Sequence, residues 1–428
     1  MAYEKQIWTN GDTITAPKLN NIEGGVEGMN SSYEKQTWIT GEVITAEKLN
    51  HIEDGIANGG SGGGSTYAPS DTGVTLRDYD GTVLGYYTNE EFNALTELPN
   101  PPAPQGLIAT GWTATLEEAK ASLAENGVIA LGRMYETTSG ATEIDIVLPE
   151  ERKSPTLGIG LNGTATIDWG DGSAEKTVTG TSTKKVINTQ HQYASGGNYT
   201  IKVKITEGEA SIKGSTGTQL LYDPNHAFAR VYMSAIKKVR IGNNVTNIGN
   251  DAFEYCYNLT SVVIPNNITS IGLSAFQNCY SLASVVIPDS VMSIGSNAFN
   301  MCYCLTSLVI PNSVTSIGDS AFYYCYSLTS IIIPDSVTNI DNDTFRYCYS
   351  LTSVVISDSV TSIGSNVFNN CYSPASIKFK NTTPPTADYN AFGQLPTDCV
   401  IKVPTGSLSA YTSASNYPDS STYTYMEY

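Results

Sequence analysis

The chain has 428 residues, more than one compact core accommodates, so several domains are expected. Its 41 Asp and Glu against 23 Lys and Arg leave a net charge of −18, which repels phosphate backbones and excludes nucleic acid as an expected partner. Only 15% of residues are charged and 38 are Gly, a balance that suits turn-rich β structure better than a helical enzyme.

The chain opens with one unit written twice. Residues 7–26 read IWTNGDTITAPKLNNIEGGV and residues 37–56 read TWITGEVITAEKLNHIEDGI. Trp8 and Trp38, Leu19 and Leu49, and Ile22 and Ile52 stand thirty apart. Each unit predicts a short helix. In the second, Thr45 is placed as an N-cap, and Ile44, Leu49, Ile52 and Ile56 form one apolar stripe. A single stripe on about a dozen residues is marginal in water, so the unit must pack on a copy of itself or on a partner. The opening MAYEKQIWTN has no basic stretch followed by an apolar one, so no secretory signal is expected. No apolar run approaches the roughly 18 residues that span a membrane, and no membrane insertion is expected.

NGGSGGGST (58–66) is a flexible tether. Residues 67–140 read as a small α/β spacer. VTLRDYDGTVLGYYT predicts a hairpin, NEEFNALTEL a short helix, and TLEEAKASLAENG an amphipathic helix closed by Gly127. Asp78-Tyr79-Asp80-Gly81-Thr82 is similar to the first motif of haloacid-dehalogenase-type phosphatases. The α/β pattern is too short to carry the rest of that site, and an Asp-Gly turn is the better reading.

From 141 the apolar period becomes two. DWGDGS (168–173) and HQYASGGNYTIKVKI (191–205) resemble a PKD-type β-sandwich, which implies buried Trp169 and Tyr193 and a domain over 141–215. GIGLNG (158–163) satisfies G-x-G-x-x-G, but it leads into a strand, so no dinucleotide is implied.

The second half repeats every 23 residues. Phe253, Phe276, Phe299, Phe322, Phe345 and Phe368 form one column, and Ile248, Ile271, Ile294, Ile317, Ile340 and Ile363 another. Cys256, Cys279, Cys302, Cys325, Cys348 and Cys371 form a third. One strand and one return path per 23 residues predict a solenoid whose coils bury their apolar columns on one another. The unit L-T-S-V-V-I-P-D-S-V-T-S-I-G-S-N-A-F-x-x-C resembles the BspA-like leucine-rich repeats, over about 232–380. VPTGSLSAYTSASNY (403–417) is similar to the segment that caps such arrays. The solenoid is placed at 216–380 and its cap at 381–428.

The cysteine column reads as a ladder of small buried side chains rather than disulfides. With His51, His191 and His226 far apart, no metal site is expected, and no cofactor. Every cysteine of the column is followed by a tyrosine: Tyr257, Tyr280, Tyr303, Tyr326, Tyr349 and Tyr372. Tyr255, Tyr323, Tyr324 and Tyr347 add to it. Two readings stay open, an aromatic ladder between coils and a stripe that binds carbohydrate or protein.

The repeated W-x-x-G-[DE]-x-I-T-A-x-K-L-N-x-I-E-x-G resembles an N-terminal element of bacteriophage tail-fibre, baseplate and receptor-binding proteins, where it serves virion attachment. The resemblance covers residues 1–30 and 31–58. It implies docking to other virion proteins through Trp8, Leu19 and Ile22 of the first unit and Trp38, Ile44, Leu49, Ile52 and Ile56 of the second. It also implies assembly in the host cytoplasm and a homotrimer. The fold class is mainly β and multidomain: helical units, a small α/β segment, a PKD-like sandwich and a capped solenoid. The expected function is non-enzymatic. A phage fibre or receptor-binding protein would present the tyrosine column to a host surface glycan or protein. A phage head or neck fibre and a bacterial cell-surface adhesin are the alternatives.

Overall fold

The computed structural model describes residues 73–212, 220–222 and 232–428. The docking residues read from the sequence, Trp8 through Ile56, lie outside the described residues.

The α/β segment is built on local signals. Strands β1 (Gly73–Arg77) and β2 (Val83–Tyr87) form the expected hairpin, with Asp78–Thr82 as its turn: the Asp78 amide donates to the Thr82 carbonyl and the Gly81 amide to the Asp78 carbonyl. Helix α1 (Asn89–Asn93) starts on a Thr88–Glu91 capping box. It stops well short of Leu98, whose helical conformation is opposed by Pro99. Strand β3 (Leu107–Trp112) follows. Helix α2 (Leu116–Asn126) carries a second capping box, Thr115–Glu118, and ends on Gly127 at φ 80°, as the sequence predicts. Strand β4 (Val128–Thr137) completes a sheet in the order β2-β1-β4-β3.

Next come four strands, the last three of them long: β5 (Thr142–Leu148), β6 (Thr156–Asp168), β7 (Lys176–Gln190) and β8 (Gly197–Ile212). Strand β6 pairs antiparallel with both β7 and β8, β8 pairs with β5, and the short β9 (Leu221–Tyr222) pairs with the start of β6. Trp169 and Tyr193 are buried, and the Tyr193 hydroxyl donates to the Trp169 carbonyl at 2.9 Å. His191 stacks on the Trp169 ring and meets Asp171 at 2.7 Å.

The same strands close the start of the solenoid. Its first coil contributes β10 (Ile236–Arg240) and β11 (Val245–Ile248). Strand β10 pairs with β5, and β11 pairs with the end of β8. Arg240 fixes the first junction by reaching Glu143 at 2.9 Å and Asp145 at 3.0 Å. One continuous core of buried residues therefore runs from Ile144 to Tyr411.

Beyond β10 the coils supply parallel strands at Ser261–Val263, Ser284–Val286, Ser307–Val309, Ser330–Ile333, Ser353–Ile356 and Ser376–Phe379. The cap adds Val400–Val403 and Thr424–Glu427 to this sheet, so the β ladder continues past the expected solenoid boundary at 380. A cluster of Phe379, Phe392, Tyr411 and Tyr417 seals the far end.

Inside, the columns do what their spacing predicts. Successive Phe rings stack at 5.0 to 5.8 Å from Phe253 to Phe368, and all six are fully buried. The six ladder cysteines are buried free thiols. From Cys279 to Cys371 each Sγ donates to the Phe carbonyl of the preceding coil at 3.2 to 3.4 Å. Burial pushes the thiols up and keeps them protonated as donors.

One junction differs. Gly272, Gly295, Gly318 and Gly364 each donate their amide to the Ile carbonyl of the coil before. A Cβ at any of them would meet an atom of that coil at 2.6 to 2.7 Å. In the fifth coil this place is taken by Asp341, and among the described residues no such bond forms there. Both ladders are interrupted at that junction, between Ser307–Val309 and Ser330–Ile333 and between Ser316–Ile317 and Asn339–Ile340. The Asp341 carboxyl is raised by burial and by Asp319.

Replacing Asp341 with Gly should restore one backbone hydrogen bond, about 1 kcal/mol, against about 0.5–1 kcal/mol of glycine entropy. Removal of a carboxylate whose ionised form is disfavoured by desolvation and by Asp319 tips the sum toward stability. A raised carboxyl destabilises the fold only while ionised. The gain in the thermal midpoint of D341G should therefore be present at neutral pH and shrink as pH falls through the raised pKa. Gly318→Ala should lower stability by roughly 1–3 kcal/mol, because it overpacks the adjacent coil. A midpoint for D341G below that of the parent at neutral pH would contradict this account.

Candidate recognition surface

The solenoid sheet, the most extended flat surface of a coil stack, is not free. Strand β4 lies across it. A Cβ at Gly132 would meet the Val286 side chain at 2.7 Å, so this glycine permits the close approach. Leu107 and Tyr135 share a buried cluster with Val263, and Ile332 packs on the core of the α/β segment formed by Val74, Phe92 and Leu123. Lys378 donates to the Glu125 carbonyl at 2.9 Å, and Lys380 pairs with the Glu125 carboxylate at 2.7 Å. The segment read as a spacer packs along the solenoid.

The tyrosine column lies on another side of the coil. In each coil the Phe amide and the amides two residues either side of it donate to the next coil. The residues at those flanking positions take left-handed φ between 52° and 66°. The chain then turns the Cys inward and the following Tyr outward. All six expected residues come together: Tyr257, Tyr280, Tyr303, Tyr326, Tyr349 and Tyr372 follow one another at ring separations of 4.6 to 5.2 Å. From Tyr280 to Tyr372 the planes lie within 20° of parallel. Five of the six are half-buried, and Tyr372 at the end is 53% exposed.

This stacking decides what the column offers. The faces of the inner rings are taken by one another, leaving edges and hydroxyls as the contact surface. Burial raises the phenols of Tyr303, Tyr326 and Tyr349, which remain neutral donors at physiological pH.

A second tier stands beside it in the fourth and fifth coils. Tyr324 stacks on Tyr347 at 4.5 Å, and Tyr323 meets both edge-on. Arg346, held by Asp343 at 3.0 Å, lies 4.9 Å from the Tyr347 ring centre. Tyr324 and Tyr347 have φ of 61° and 62°, a conformation that opposes a bulky side chain. Asn278 and Asn370 hold the same place in other coils. Tyr255 and Met301 hold it too, so the place tolerates bulky side chains at some cost in φ.

Among the described residues no group of three or more His, Cys, Asp or Glu is placed to hold a metal ion, and no helix is long and apolar enough to cross a membrane.

Residues 224–351 and 338–409 match the BspA type leucine rich repeat region, in six copies. The solenoid is a BspA-type leucine-rich repeat region. Solved structures with similar repeats include a leucine-rich repeat protein of T. pallidum, 30% identical over 33% of this chain and 72% of that one, with a TM-score of 0.31. A leucine-rich cell surface protein from Faecalibacterium prausnitzii A2-165 is 30% identical over 47% of this chain and 62% of that one, with a TM-score of 0.30. A leucine-rich repeat protein from Bacteroides ovatus is 22% identical over 50% of this chain and 61% of that one, at 0.32. No curated protein matches the chain.

The BspA-type coils give a direct way to separate binding from packing. Each inner ring of the column stacks on two neighbours, at about 0.5–1.5 kcal/mol per stack, so its removal costs stability whatever it binds. Tyr324→Asn with Tyr347→Asn installs the residue already used at Asn278 and Asn370. The double variant exchanges the Tyr324–Tyr347 stack for relief of two left-handed φ, so the thermal midpoint should change little, while adsorption to any partner held by this tier should fall. Undiminished adsorption would show that the second tier does not bind.

Proposed function

We propose that the chain is a structural and binding component of a bacteriophage particle, a tail-fibre or receptor-binding protein. Its N-terminal units dock it, and its leucine-rich repeats present a recognition surface to the host. The twice-written attachment motif at residues 7–26 and 37–56, set before a Gly/Ser tether, carries this reading. A rigid solenoid with a sealed core and a tyrosine-rich side suits presentation rather than turnover. Two docking units in one chain bring the second contact to high effective concentration once the first has formed. A trimer would multiply both the docking contacts and the recognition surface.

A second reading, a bacterial cell-surface adhesin, rests on the repeats themselves, which resemble those of the cell surface protein from F. prausnitzii. The two predict different addresses for the same chain. Deleting residues 1–30 or residues 31–58 should reduce incorporation into purified particles in part, and deleting both should nearly abolish it. Full incorporation without residues 1–58 would place attachment elsewhere. Absence of the intact chain from particles, with recovery from the bacterial surface, would favour the adhesin.

A further inference from the structure

The tyrosine column ends on an exception. Tyr280, Tyr303, Tyr326 and Tyr349 each meet a ring on both sides, but Tyr372 stacks on Tyr349 alone, at 5.2 Å and 20°. The next coil continues the Phe column, with Phe392 on Phe368. It does not continue the tyrosines. Asn370 and Gln394 share the left-handed place in the two coils, at φ 60° and 59°, so Pro396 stands where the next tyrosine would. Tyr349 covers one face of Tyr372, yet the residue is 53% exposed, which leaves its other face open to solvent. At the opposite end Tyr257 is half-buried, with Tyr255 edge-on at 5.9 Å.

The open ring is also held in place. Its hydroxyl donates to Asn370 Oδ1 at 2.7 Å and lies 3.4 Å from Gln394 Oε1. Gln394 is itself exposed, so its amide group is accessible beside the ring. The electron-rich face attracts C–H bonds, while the phenol and the amide exchange hydrogen bonds with hydroxyls. A pyranose presents both, C–H groups on its faces and hydroxyls around its rim. A protein interface is anchored instead by clustered apolar side chains. Here Ser373, Gln394 and Thr397, exposed close to Tyr372 and Pro396 in the chain, are all polar. No cation takes part in the ring's contacts and Asp398 follows Thr397, so an acidic sugar is disfavoured.

We propose that Tyr372, with Gln394, is a platform for one neutral sugar unit of a host surface glycan. This rests on the tyrosine side as the recognition surface and gives that surface a ligand class. Saturation-transfer NMR on the full chain tests it, with the methyl β-glycosides of glucose, galactose and N-acetylglucosamine as probes and glucuronate as the acidic comparison. At least one neutral probe should show transfer, strongest at the C–H protons of one pyranose face. Tyr372→Ser should weaken binding roughly tenfold with a cooperative thermal transition retained, and Tyr372→Trp, a broader face, should keep it. Tyr389→Ser, which removes an exposed tyrosine outside the column, should leave it unchanged. No transfer from any neutral probe, equal loss in Tyr389→Ser, or preference for glucuronate would each overturn the proposal. Particle adsorption to host cells, measured alongside, separates the two readings. Adsorption without sugar transfer overturns the platform and leaves the recognition surface standing. Transfer that depends on Tyr372, without adsorption, upholds the platform and removes the surface from host attachment.

Discussion

The contact on which the rest of this structure depends is the backbone of one coil lying on the backbone of the next. Where Gly272, Gly295, Gly318 and Gly364 stand, there is no room for a Cβ, and the amide of each coil reaches the Ile carbonyl of the coil before it. Once that approach is fixed, equivalent side chains must stand about 5 Å apart. Phe stacks on Phe, Cys Sγ reaches the preceding Phe carbonyl, and Tyr stacks on Tyr. The columns are consequences of one repeated contact. Asp341 stands at that place at the junction where both ladders are interrupted, whereas Asp388, one junction beyond Gly364, keeps the bond to the Ile363 carbonyl.

Such a stack has two ends and broad sides, and this chain deals with each. The end at β10 and β11 is closed by β5 and β8, and the other by the aromatic cluster around Tyr411. The sheet face carries β3 and β4 through Gly132, Tyr135 and Val263. What is left for a partner is the tyrosine-rich side. Left-handed φ at non-glycine residues recurs in every coil beside the Phe column, and Tyr324 and Tyr347 are two of these places.

Much of this was legible in the sequence, for definite reasons. A period of 23 residues repeats each contact, so the Phe, Ile and Cys columns could be read from spacing alone. Both helices of the α/β segment were expected from the sequence, and Gly127 closed the second as expected, while the capping boxes at Thr88 and Thr115 went unread. The continuation of the ladder through Val400–Val403 and Thr424–Glu427 was not visible, because the spacing departs from 23 once the last repeat ends. Nor was the seat of the α/β segment, which depends on Gly132 meeting Val286 across more than 150 residues. The spacing of the six column tyrosines implied that they line up, but only the structure shows that their faces are used up on one another.

The central claim is that the α/β segment, the long strands and the solenoid share one packed body in which the sheet face is covered by the chain itself. Hydrogen–deuterium exchange of the intact protein tests this most directly. The account predicts that amides of Val128–Thr137 exchange as slowly as those of Ser261–Val263 and Ser284–Val286, and that all three lose protection together as denaturant is raised. Loss of protection in Val128–Thr137 well before the repeats, with Ser261–Val263 and Ser284–Val286 unaffected, would mean that the face is open and the account is wrong.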